Sequence, residues 1–179
     1  MAEHFNNAQA QEPFPLEDDF VMEEEGLSAA AAVKEEQYCI FRAGRERFCL
    51  HVLEVDEVLE WPRLTRLPLS PPFLMGVFNL RGTIVPVVDI AFTETRRGDL
   101  PPKLVVVACL RGGTSGAPDV RMGLAVDEVL GTYSTTESLL KDEAPRDVPY
   151  CAGMLRHGDR LALALDLTRV LESFPVSMI

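Results

Sequence analysis

The chain has 179 residues, 47% of them hydrophobic and 7% aromatic, with 17 basic and 28 acidic side chains for a formal charge of −11. That apolar content suffices for one medium domain or two very small ones, and the lack of any basic excess argues against a phosphate-neutralising nucleic-acid binder. No apolar run approaches membrane-spanning length, and no basic start precedes an apolar stretch at the N-terminus, so a cytoplasmic protein without membrane insertion is expected.

The charge is unevenly placed. Residues 1–36 hold ten carboxylates against Lys34 alone, whereas the other 143 residues carry 16 basic and 18 acidic side chains. Such a composition cannot bury enough apolar surface to offset its ordering entropy, which predicts a disordered acidic tail over 1–36 and a folded body over 37–175. Phe14, Leu16, Phe20, Val21 and Met22 are scattered among the tail carboxylates. A marginal helix is expected over Ala29–Glu36, with Glu35 and Glu36 opposing its dipole.

From Gln37 the texture changes to short β-rich runs broken by Gly, Pro and charged turns. Residues 38–42 and 47–52 flank the turn Ala43-Gly44-Arg45-Glu46, a hairpin signature. Residues 104–110 and 120–126 form a second hairpin around a longer Gly-rich loop, Arg111 to Pro118. Without long segments of 3.6-residue period, an all-β body of small barrels is expected. Cys39, Cys49, Cys109 and Cys151 are widely spaced within or beside apolar runs, which suits buried thiols better than metal ligands or disulfides.

The most informative feature is a repeat. Val55-Asp56-Glu57-Val58-Leu59 recurs as Val126-Asp127-Glu128-Val129-Leu130, and the 15 residues from Gly76 align without gaps to those from Gly153. Two matches in the same order argue for duplication of one hairpin–hairpin unit and for two similar β subdomains packed on each other. Gly76, Gly82 and Gly153 are expected as structural turn positions.

Catalytic parts are scarce. His4, His51 and His157 are the only histidines, and no base–orienter constellation can be assembled around them. The Gly112–Gly116 loop lies between two strands, whereas phosphate cradles open a helix. No cofactor or metal site is expected. Arg81, in the turn Asn79-Leu80-Arg81-Gly82, could present a fork of donors to a partner, with Gly82 permitting a positive φ.

Thr65-Arg66-Leu67-Pro68, Pro71-Pro72-Phe73-Leu74-Met75-Gly76-Val77 and Asn79-Leu80-Arg81-Gly82-Thr83-Ile84-Val85-Pro86-Val87-Val88-Asp89 closely resemble the most recognisable segment of the CheW-like chemotaxis adaptor family. The likeness extends from about Gln37 to about Phe174. It implies two SH3-like, five-stranded β-barrels without catalytic activity. It also implies a scaffold coupling the cytoplasmic tip of a chemoreceptor to the regulatory domain of a CheA-type histidine kinase, with other CheW-like domains as further partners. Receptor contact is then expected at Val55, Glu57, Asn79, Arg81 and Val85. The alternative within the family is an adaptor that binds receptors, or another pathway component, without activating a kinase. An oligonucleotide-binding barrel is a poorer match, because the body is near neutral and has few aromatics for stacking.

Overall fold

In the computed structural model, which describes residues 35–91, 101–112 and 118–174, apolar runs are buried on both faces. Ten strands carry the described residues. The first hairpin is β1 (Glu36–Ala43) and β2 (Glu46–His51), and a single 3-10 turn, Val52–Glu54, leads from it to β3 (Val55–Glu60). A second hairpin follows, β4 (Leu74–Leu80) and β5 (Thr83–Val88). Beyond it come β6 (Leu104–Leu110), β7 (Val120–Val126), β8 (Glu128–Thr135), β9 (Cys151–His157) and β10 (Arg160–Leu165). A short helix, α1 (Leu167–Ser173), was not anticipated from the sequence. Asp166 caps it by accepting the Arg169 N–H at 3.1 Å, and Leu167 and Val170 are buried in the core.

The strands form two five-stranded sheets, ordered β8-β1-β2-β10-β9 and β3-β6-β7-β5-β4. The two orders are the same once each strand is replaced by its repeat counterpart: β1 and β2 by β6 and β7, β3 by β8, and β4 and β5 by β9 and β10. The register agrees as well, since Leu80 pairs with Thr83 as His157 pairs with Arg160, 77 positions later. One expectation needs correcting. The repeats do not fold as separate halves; each sheet takes a hairpin from one repeat and three strands from the other. The crossing occurs on entry to each of the two identical pentapeptides, through Val52–Glu54 just ahead of the first copy and at Asp127 in the second.

Each sheet closes on itself at equivalent points. Thr65 and Val77 exchange backbone hydrogen bonds of 2.8 and 2.9 Å across the edge strand β4, and Leu140 and Met154 exchange bonds of 2.9 and 3.0 Å across β9. Gly76 and Gly153 lie in these edge strands and not in turns, which corrects the sequence expectation for both. A Cβ on Gly76 would stand 2.7 Å from the Thr65 carbonyl oxygen, and one on Gly153 would stand 3.3 Å from that of Leu140. Glycine is needed there because the closing segment crosses directly over the strand. Of these three glycines, only Gly82 occupies a turn.

Side-chain alternation then makes three cores. Tyr38, Ile40, Cys49, Leu155, Ala162 and Ala164 fill one barrel, and Phe78, Val85, Val87, Val105, Val107 and Ala125 fill the other. Between them lies a larger cluster of 22 buried residues, among them Phe41, Phe48, Leu50, Val106, Leu124 and Val170. At about 1.5–3 kcal/mol for each large aliphatic or aromatic side chain buried, this shared layer outweighs either barrel interior. Glu36 is the first residue of β1, paired with Thr135, rather than the end of a helix. The rest of the expected acidic tail and helix, through residue 34, lies outside the described residues.

All four cysteines are buried free thiols. Burial pushes the Cys49 thiol up to about 12, which suits a packing residue and not a nucleophile.

Candidate functional site

The β4–β5 hairpin ends in a two-residue loop whose central residues both lie in the left-handed region, Arg81 at φ +50° and Gly82 at φ +92°. Such loops match the right-handed twist of the flanking strands, which favours them despite the cost to a residue bearing a Cβ. Asn79 braces the loop, its Oδ1 accepting the Gly82 N–H at 2.7 Å. The Arg81 backbone is thereby fixed while its side chain remains 81% exposed. Its Nη2 donates to Glu57 Oε2 at 3.1 Å. Glu57 belongs to β3 and the loop to the β4 end, so the ion pair joins the two edges of one sheet.

A bulge at Asp56, between the pairs Val55–Ala108 and Glu57–Val107, alters the strand beside this ion pair. In a regular strand, adjacent side chains take opposite faces; here Asp56 and Glu57 line the same open groove of about 390 Å³, together with Leu80, Arg81, Thr83 and Arg121. Asp56 Oδ2 accepts Arg121 Nε at 2.7 Å and its Oδ1 accepts Arg111 Nη2 at 2.7 Å. Arg111 also meets Asp119 at 3.3 Å, and the Gly112 N–H donates to the same carboxylate at 3.0 Å. The Gly112 N–H, followed by Arg111, holds the Asp119 carboxyl below the usual range, and the Asp56 hydrogen bond raises the Arg121 guanidinium.

The second repeat provides an internal comparison. Asp127 does the work of Asp56, binding Arg42 Nη1 at 2.9 Å and the Gly44 N–H at 2.8 Å at the tip of the hairpin in its own sheet. A groove of about 410 Å³ adjoins Asp127 and Glu128. The residue equivalent to Arg81 is Gly158, at φ +60°. The duplicated acidic pair is thus common to both barrels, whereas the arginine-bearing turn belongs to the first alone.

Residues 37–174 match the CheW-like domain. The chain belongs to the CheW-like family. Among its relatives is the chemotaxis protein CheW of Thermotoga maritima, 30% identical over 155 residues, spanning 82% of this chain and 95% of that protein. The chemotaxis protein CheW of Klebsiella aerogenes is 27% identical over 148 residues, spanning 80% and 86%. In fold, the chain is similar to the scaffolding protein TtCheW from Thermoanaerobacter tengcongensis, with a TM-score of 0.63 at 23% identity over 75% of this chain and 86% of that one.

Of the residues singled out from the family likeness, Glu57 and Arg81 are in direct contact, and Asn79 supports the turn between them. Val55 sits one position before the bulge, half-buried against the shared core. Val85 does not join them: it is fully buried inside the barrel, and its neighbour Ile84 takes the outward face. Period-two parity puts Val85 and Val87 inside, but that segment is apolar at nearly every position, so its pattern alone did not reveal which face was exposed. Asp56, Arg111, Asp119 and Arg121 were not identified as a group, because 55 and 65 residues separate Asp56 from the two arginines it binds.

Proposed function

We propose that this protein is a non-enzymatic chemotaxis-type scaffold that couples a chemoreceptor to a CheA-type histidine kinase, working in the cytoplasm beside the receptors. The observation that carries this reading is the match of residues 37–174 to the CheW-like domain. The names of its relatives, chemotaxis protein CheW and a scaffolding protein, agree with it. The site chemistry suits binding. Its arginines and carboxylates are engaged in mutual ion pairs, and the body histidines serve local structure: His51 Nδ1 accepts the Leu53 N–H, and His157 packs edge-on against Tyr133.

Receptor contact is assigned in this proposal to the exposed Arg81 fork, Glu57 behind it and the β3 edge at Val55. A receptor tip is an antiparallel helical hairpin, and a rigidly held guanidinium suits its polar flank. Titrating a receptor-tip fragment into wild type and Arg81→Ala tests the contact. A loss of about 1–4 kcal/mol, roughly 5-fold to several hundred-fold in affinity, is expected. Reconstitution of receptor fragment, kinase and this protein then tests coupling: kinase activity that does not respond to adding the protein would leave a receptor-binding adaptor without kinase activation. The folded domain is proposed to begin at β1, so a chain lacking residues 1–34 should retain one cooperative thermal transition.

A further inference from the structure

The groove beside Glu57 and Arg81 contains a second guanidinium, and we propose that Arg121 forms with Arg81 a two-pronged clamp for acidic side chains on one face of a partner helix. This rests on the receptor-binding reading above and identifies the chemistry that the groove selects. Both arginines line the same cavity, and among the described residues each is anchored through one nitrogen: Arg81 through Nη2 to Glu57, Arg121 through Nε to Asp56. The terminal nitrogens of Arg121, without a partner among the described residues, are placed to donate to a ligand. A fork already held by its own carboxylate loses little rotamer freedom on binding, which favours bidentate capture of a carboxylate.

Formal charge in the cluster is balanced, with Arg81, Arg111 and Arg121 against Asp56, Glu57 and Asp119. Burial breaks that balance. In the groove itself Asp56 is 16% exposed and Glu57 22%, against 81% for Arg81 and 34% for Arg121, while beside it Arg111 and Asp119 are 53% and 38% exposed. Solvent in the groove therefore meets more arginine than carboxylate side chain. Asp56 is the positioning residue: the bulge directs it into the groove, and its two oxygens hold Arg121 on one side and Arg111 on the other.

The experiment is a titration of a recombinant receptor-tip helical hairpin into the full-length protein at low and high salt, for wild type, Arg81→Ala, Arg121→Gln and Arg121→Lys. Arg121→Gln should weaken binding about 5- to 50-fold at low salt and flatten the salt dependence, because a charge contact is lost. Arg121→Lys keeps the charge but not the fork, and should fall between wild type and Arg121→Gln. If Arg121→Gln fails to fold, the Lys variant decides, and wild-type affinity in it would overturn the clamp. Wild-type affinity and salt slope in Arg121→Gln, alongside weakened Arg81→Ala, would overturn the clamp and leave the receptor-binding reading standing. Absence of binding by the wild-type protein would overturn that reading and the clamp with it.

Discussion

Asp127 accepts the backbone N–H of Gly44 at 2.8 Å, so the second copy of the duplicated pentapeptide fastens the tip of a hairpin 83 residues earlier in the chain. The same carboxylate holds Arg42 and is 4% exposed. Charged hydrogen bonds this well buried are expensive to lose. Asp127→Ala should destabilise the protein by about 2–4 kcal/mol, and Asp127→Asn, which keeps an acceptor for Gly44, by roughly half as much. Urea unfolding measures both; an Ala variant within about 0.5 kcal/mol of wild type would show that the hairpin is held by other means.

The two closing glycines should differ in tolerance. At Gly76 an added Cβ meets backbone at 2.7 Å and the residue lies at φ +142°, whereas at Gly153 the nearest atom is the Leu139 Cβ at 3.2 Å. Gly76→Ala should therefore cost about 2–4 kcal/mol, and Gly153→Ala about 1 kcal/mol. Comparing denaturation midpoints checks the order, and equal losses would mean that the two closures are not under different strain.

Both long hairpins were legible in the sequence because their apolar runs are bounded by turn residues, and the duplication was legible because Asp56 and Asp127 keep the same job. The exchange of hairpins between sheets was not. Each repeat carries the same pattern, so β1 and β2 could pair with the strands of either copy, and only the short passage Val52–Glu54 sends β3 to the other sheet. The left-handed turn was anticipated at Gly82, where glycine signals it, and missed at Arg81, where nothing does. The α1 helix was also obscured, since seven residues, about two turns, are too few for its period to stand out.

Alkaline stability should reflect the buried thiols. Burial moves Cys49 from 9.0 to about 12, so the folded state keeps a proton that the unfolded chain releases above pH 9. A folded-state value raised in this way contributes stability that is complete below pH 9 and is lost progressively as pH rises toward 12. About 2–3 kcal/mol should have gone by pH 11 from this group alone, and Tyr38, raised first by burial and then by its bond to Glu36, adds to the same decline. Urea unfolding of Cys49→Ala between pH 8 and 11 should give a shallower slope than wild type, whatever its stability at pH 8. Parallel slopes would remove Cys49 as a cause.

Arg81 permits a separation of strain from function. A left-handed conformation costs a residue with a Cβ roughly 1–2 kcal/mol, and the second barrel avoids that cost with Gly158 at the same place. Arg81→Gly relieves the strain but adds roughly 0.5–1 kcal/mol of unfolded-state entropy and gives up an exposed ion pair of modest value. These effects nearly cancel, so stability should stay within about 0.5 kcal/mol of wild type. Receptor-tip affinity should nevertheless fall at least about 5-fold, because the fork is gone. Thermal unfolding and the titration are read on the same preparation. A clear loss of stability with affinity retained would make Arg81 a structural residue of the turn. The expected result, stability kept and binding lost, would mean that the first barrel carries a strained arginine because of what it contacts.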